Sequence, residues 1–256
     1  MMESRDQISL AIQRWSAWTP GLSTPAEWRS WAEGARRIGG LEPPDVAFVA
    51  PLLRRRLSSL SRMAFRVAAD CLDETDDVAY VFCSRYGEYH RSFGILTDIA
   101  QGSPASAAAF STSVHNTAAS LFAIENKHTS PAISVAGGDA TLETGFIEAW
   151  SQLESGAANA ILLVYHDEPL PPLYSEQRTT VQHPAAIAML LKSAQEGDPS
   201  DTLHLRWDSS DANSATPAPP TDPALSVLKS LLTNGGPVEF DSGRLVWTWS
   251  ATLAAS

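Results

Sequence analysis

Two runs of the chain, Val78-Ala-Tyr-Val-Phe-Cys83 and Ala160 to Tyr165, are apolar at every position rather than at alternate ones. A strand of that kind has to be covered on both faces, which antiparallel sheets open to water on one side do not need. Helical spacing of apolar residues appears around these strands. Leu53, Leu57, Leu60, Ala64, Val67, Ala68 and Cys71 predict an amphipathic helix from Leu52 to Leu72. Further helices are predicted from about His90 to Ala100, from Ser111 or Ser113 to about Asn126, from Leu142 to Ser155 with Gly156 closing it, and from about Pro223 to Leu232. Ala132 to Ala136 reads as a short apolar strand. Strands alternating with helices in this way predict a layered α/β protein, helices on both sides of a mainly parallel central sheet.

The remaining segments are read more coarsely. From Asp6 to about Gly40, tryptophans at 15, 18, 28 and 31 among Pro and Gly predict short irregular elements packed by large side chains. Ala185 to Leu191 and Leu203 to Trp207 read as the two arms of a hairpin, and Arg244 to Trp249 as a terminal strand. The tract from 208 to 223, rich in Ser, Ala, Pro and Asp, reads as a flexible loop. A length of 256 residues with 44% hydrophobic content suits one domain with a sizeable core.

Charge and cysteine content exclude several functions. A formal charge of -11 argues against a nucleic-acid partner, because such affinity rests on Lys and Arg neutralising phosphates. The start of the chain lacks an apolar stretch after a basic one, and no later run is long enough to cross a bilayer, so the expectation is a soluble cytoplasmic protein without membrane insertion. Cys71 and Cys83 are too few for a disulfide framework and have no histidine at metal-site spacing, so no metal or other cofactor is expected. Against the acidic background Arg54, Arg55, Arg56, Arg62 and Arg66 cluster in one stretch. They are either a solvated helix face or a docking patch for an acidic protein.

The chemistry-bearing candidates are few. Gly-x-Ser-x-Gly, Gly-x-Gly-x-x-Gly, Gly-x-x-x-x-Gly-Lys and His-Glu-x-x-His motifs are all absent. The six histidines are scattered, and only His115, beside Asn116 at a helix start, has suggestive neighbours. The run Ser130 to Gly145 reads as strand, glycine turn and helix start, with Asp139 at its tip. Enzymes often mount a nucleophile at such a turn, where the next helix offers free amides and a positive dipole end. Asp139 has three readings: a helix N-cap, a mimic of a charged intermediate that assists decarboxylation, or the relic of a site no longer used.

Three segments in order, Ser113-Val-His-Asn116-Thr-Ala-Ala, Ser130-Pro-Ala-Ile-Ser134-Val-Ala, and Leu153-Glu-Ser-Gly156-Ala-Ala-Asn-Ala, resemble the N-terminal half of β-ketoacyl synthases, members of the thiolase superfamily. Leu57-Ser-Ser-Leu-Ser-Arg-Met63 and Ser84-Arg85-Tyr86-Gly87 fit the family's earlier segments, and the ketosynthase-like core spans about 45 to 170. The resemblance implies a thiolase-like α/β/α fold, truncated relative to a full ketosynthase, and places Asp139 where the family has its active cysteine. A carboxylate cannot hold an acyl group as a thioester, so no catalytic residue is expected here. The subgroup implied is the chain-length factor of the aryl polyene type. Such a noncatalytic subunit pairs with an active ketosynthase as a heterodimer and shapes its acyl tunnel in polyene, polyketide or fatty-acid-like biosynthesis. The dimer strand would be Ala132, Ile133, Ser134, Val135 and Ala136. The pocket and interface would be Phe110, Ser111, Thr112, Ser113, Val114, His115 and Asn116, whose small serines and threonine either line a tunnel or cap a helix. An acyl carrier protein would be met indirectly, with Arg54, Arg55 and Arg56 as its candidate dock. The competing readings are a free-standing acyl hydrolase or decarboxylase using Asp139 with His115 or His166, and a homodimeric acyl-binding protein.

Overall fold

The computed structural model describes residues 7–73, 77–174, 182–195, 199–210 and 222–254. Its elements in chain order are strand β1 (Gln7–Trp18), helices α1 (Pro25–Ala32), α2 (Pro51–Arg54) and α3 (Ser59–Asp70), strand β2 (Ala79–Cys83), and helices α4 (Tyr89–Ala100), α5 (Ala107–Phe110) and α6 (Thr117–Glu125). Strand β3 (Ala132–Val135), helix α7 (Thr141–Glu154), strands β4 (Ile161–Asp167), β5 (Ala185–Ser193) and β6 (Asp201–Ser209), helix α8 (Pro223–Thr233) and strands β7 (Val238–Asp241) and β8 (Leu245–Thr252) follow.

The eight strands among the described residues form one sheet in the order β3-β2-β4-β5-β1-β6-β8-β7. Only β2 with β3 and β2 with β4 run parallel; the other five pairings are antiparallel. The sheet is therefore mixed, not mainly parallel. Parallel neighbours need a long crossover, which α4 to α6 supply between β2 and β3 and α7 supplies between β3 and β4. The expected hairpin of β5 and β6 does not form either, because β1 lies between them, paired with both. The segment expected to be irregular thus holds a twelve-residue central strand. Its alternation of Ile8, Leu10 and Ile12 with Ser9 and Ala11 breaks at a register shift between Ile12 and Arg14, which hides the period.

Two apolar clusters cover the sheet. On one face α3 and α6 pack Leu60, Met63, Ala64, Val67 and Phe122 against Tyr80, Phe82, Leu162 and Val164. On the other, α7, α8 and α1 pack Phe146, Leu228 and Trp28 against Val81, Leu163 and Trp249. This is the layered α/β/α arrangement expected from the doubly apolar strands. α7 sits especially close, since a Cβ at Gly145 would lie 2.8 Å from Cys83 Sγ and 3.0 Å from Leu163 Cδ1. Cys71 and Cys83 are both free thiols, fully buried.

Several boundaries differ from expectation. The helix predicted from Leu52 to Leu72 breaks after α2 and restarts at α3, where the Ser58 hydroxyl caps by accepting from Ser61 N. No helix runs unbroken from Ser111 or Ser113. α5 ends at Phe110, and α6 starts at Thr117 behind Asn116, which makes no side-chain cap. β3 stops at Val135, leaving Ala136 outside it. Of the tract read as a loop, Asp208 and Ser209 end β6, Pro223 starts α8, and 211–221 lie outside the described residues.

Candidate functional site

The parallel strands β2 and β4 end side by side, and their carboxyl ends build the site. Asp167, the last residue of β4, is buried beneath the Ser84–Gly87 turn that follows β2. Its carboxylate accepts from Ser84 Oγ at 2.9 Å and from Arg85 N at 3.0 Å to each oxygen. Burial pushes this carboxyl up to about 6, with the donors from Arg85 and Ser84 pulling the other way. Ser84 Oγ also accepts from Gly87 N at 2.8 Å. Gly87 has φ +55°, and a Cβ there would come within 2.8 Å of the His115 ring. His115 in turn bonds Ser84 O through Nε2 at 2.8 Å. The turn is thus gripped from below by Asp167 and from the side by His115.

That grip aims the Arg85 side chain at Asp139, and the two form an ion pair. Arg85 Cζ also lies 4.9 Å from the centre of the Tyr86 ring. Asp139 sits in a single 3-10 turn, Gly138–Ala140, ahead of α7. It does not cap the helix. Thr141 closes the turn instead, accepting from Gly137 N at 3.1 Å and donating to Gly138 O at 2.7 Å. With Arg85 and Asp139 in place, the cavity among them, Glu143, Tyr165 and Asp167 is about 10 Å³, room for one water. One helical turn further on, Glu143 is buried and accepts from Trp249 Nε1 at 2.6 Å, and burial pushes its carboxyl up to about 7.

The sequence-derived site residues separate into distinct places. His166 lies on the other face from Asp139, edge-on to Phe82, and burial pulls it down to about 4, so it is neutral. Neither it nor His115 is hydrogen-bonded to Asp139. Thr112 is buried and hydrogen-bonded by Arg91, which also donates to Arg56 O at 3.0 Å. The Ser111 and Ser113 hydroxyls donate back to Ala108 O and Phe110 O, both at 2.9 Å, so they cap no helix start. Phe110 and Val114 stand more than half exposed, and Asn116 is exposed. Arg54 is tied to Ala47 O and is itself bonded through its carbonyl by Arg62, while Arg55 and Arg56 are exposed. β3 is the end strand of the sheet, and its outer edge pairs with nothing among the described residues.

Sequence reasoning missed Asp167, Glu143 and Glu88. Glu88 is buried and accepts from Ser58 Oγ at 2.7 Å and Ser61 Oγ at 2.6 Å, joining α3 to the start of α4. A carboxylate at the end of a wholly apolar strand was the available signal for Asp167; Glu143 and Glu88 carry none.

A three-layer α/β protein with its polar turns gathered at the carboxyl ends of two parallel strands is the architecture that emerges. The sequence model of the β-ketoacyl synthase N-terminal domain matches residues 28–250, and the chain belongs to that family. No curated protein matches the sequence. Among solved structures, a chain of the ketosynthase (ApeO) in complex with its chain length factor (ApeC) from Xenorhabdus doucetiae is similar at 27% identity and TM-score 0.80. The match covers 95% of this chain and 99% of that one, so the two are nearly equal in length. The ishigamide ketosynthase/chain length factor matches at 14% identity and TM-score 0.72, over 96% and 100%. The ketosynthase from module 1 of the bacillaene synthase of Bacillus amyloliquefaciens FZB42 matches at 17% identity and TM-score 0.58, over 82% of this chain but 48% of its own. This chain therefore spans about half of that ketosynthase, sharing its fold in truncated form.

Proposed function

We propose that this protein is a chain-length-factor-like subunit that pairs with an active β-ketoacyl synthase and shapes its acyl tunnel in polyene, polyketide or fatty-acid-like biosynthesis. The observation that carries the proposal is the near-complete mutual coverage, at 27% identity, with a chain of a ketosynthase–chain length factor complex. Chemistry at Asp139 supports it. With Asp139 standing where the family's cysteine stands, an ion pair to Arg85 and a space of about 10 Å³ occupy the place an acyl thioester would need. Transfer then belongs to the partner's cysteine, and this chain contributes walls.

The surface supports pairing. Leu96, Ile99, Phe110, Val114 and Ile124 are each more than half exposed, on α4, on α5 and the turn after it, and on α6. α6 packs on β3, whose outer edge is open. Exposed apolar groups together with a strand edge unpaired among the described residues favour an association surface over a solvated one. The partner's strand would add to Ala132–Val135, and the Phe110 to Asn116 segment would face the shared tunnel. Coexpression with a ketosynthase from the same gene neighbourhood tests this: a heterodimer is expected, and a well-behaved monomer with its own turnover overturns it.

An acyl carrier protein delivers the substrate in this reading, and the exposed Arg55 and Arg56 beside Arg54 offer it positive charge. Replacing all three by Glu is expected to slow product formation by the complex about tenfold at low salt, with a smaller effect at high salt. Unchanged product formation removes the patch from the account.

A further inference from the structure

Successive residues of a strand point to opposite faces. At the carboxyl end of β4, Asp167 turns toward Arg85 and Asp139, and Glu168 turns the other way, onto the first turn of α3. There it borders a cavity of about 580 Å³, open to solvent on one side and bordered by the end of β1, residues 38–44, α3 and the approach to β5. Sites for small molecules span about 300–1,000 Å³ and are largely apolar with a few convergent polar groups. In open α/β sheets they lie outside the carboxyl ends of parallel strands, as this one does.

The walls are apolar: Trp18, Ile38, Pro44, Met63 and Pro184. Met63 is fully buried in the α3 core and Trp18 nearly so, which fixes those two walls. Polar groups are Glu42, Ser59, Arg62, Glu168 and His183. Ser59 Oγ donates to Glu168 Oε2 at 2.8 Å, and Arg62 Nη2 donates to Arg54 O at 2.9 Å. Two carboxyl groups, Glu42 and Glu168, and a guanidinium thus border the same apolar space. An anionic head would meet Glu42 and Glu168 and a cationic head would meet Arg62, whereas a neutral head that both donates and accepts finds a complement to Glu168 and to Arg62.

We propose that this cavity binds a neutral-headed, single-chain amphiphile, an aliphatic primary amide or alcohol with its chain along Ile38 and Trp18 and its head between Glu168 and Arg62. The site is separate from the Asp139 turn and does not depend on the pairing proposed above.

Isothermal titration of the purified protein, alone or in its ketosynthase complex, with octanamide, octanoate and octylammonium tests the proposal. Octanamide is expected to bind at least about tenfold more tightly than either charged analogue. Ser59 is exposed at the first position of α3, so Ser59→Trp is expected to block the cavity and weaken octanamide binding about tenfold or more, with an unchanged melting temperature. No binding of octanamide, equal binding of all three compounds, or binding unaffected by Ser59→Trp would each overturn it. Ser59→Trp is expected to copurify with ketosynthase as before. Failure to pair in the unsubstituted protein would count against the proposed function alone.

Discussion

β3 and the Asp139 turn lie a few residues apart in the chain and have been treated in opposite ways. The turn is closed. Arg85 pairs with the aspartate, Thr141 satisfies the backbone, and about 10 Å³ remains. The strand is open, with one edge on β2, its other edge unpaired among the described residues, and its side chains only partly covered. An enzyme of this architecture would need the turn accessible. A subunit whose role is to complete another needs the edge accessible instead, and the structure has the second distribution.

Breaking the open side should have the largest effect. Ile133→Arg with Val135→Glu places charge on both partly covered apolar residues of β3 and is expected to weaken ketosynthase binding by about 2–4 kcal/mol, the range of interface hot spots. Size-exclusion chromatography of the coexpressed pair reads this out, and an intact heterodimer would move the interface off β3.

The buried acid behind the closed side comes next. Glu143 has a folded value of about 7 against an ordinary 4.5, with burial the leading cause. The folded state therefore holds a proton that the unfolded chain has released between those values, and stability falls as pH rises from about 4.5 through 7, levelling above it. Glu143→Gln keeps an acceptor for Trp249 without a titrating proton. It is expected to raise stability by about 3 kcal/mol at pH 8 and leave it unchanged at pH 4, measured by urea unfolding at both. Asp167, at about 6, contributes a loss of the same sign that persists in the variant.

The smallest effect belongs to Asp139 itself. Its side chain is 41% exposed, and exposed ion pairs contribute under about 1 kcal/mol. Asp139→Asn is expected to cost less than that in stability and to leave product formation by the complex unchanged. A large loss of turnover with an intact fold would restore a chemical role to the aspartate and blunt the contrast with β3.

How far the sequence foretold this contrast depends on the range of the interactions concerned. β2, β3, β4 and α7 were legible because their apolar runs and helical spacing are local patterns, and the segments that resemble ketosynthases lie on or next to those elements. β1 was not, since its period shifts at a bulge and its tryptophans suggested bulk rather than alternation. The sheet order failed for a related reason: sequence neighbours usually pair, and nothing local announces that β1 comes back between β5 and β6. At the site, Asp139 was found but its partner was not. Arg85 lies 54 positions away, and only the fold brings the two together, so a side chain for which a helix cap was one of three local readings is held by a distant arginine.

On the proposed function, acyl chemistry in the complex belongs to the partner and not to this chain. Intact-protein mass spectrometry of the coexpressed pair, after exposure to an acyl-loaded carrier protein, tests it most directly. The account predicts an acyl adduct on the ketosynthase subunit and an unmodified mass for this one; an adduct on this chain, or an acylated ketosynthase that never associates with it, would contradict the account.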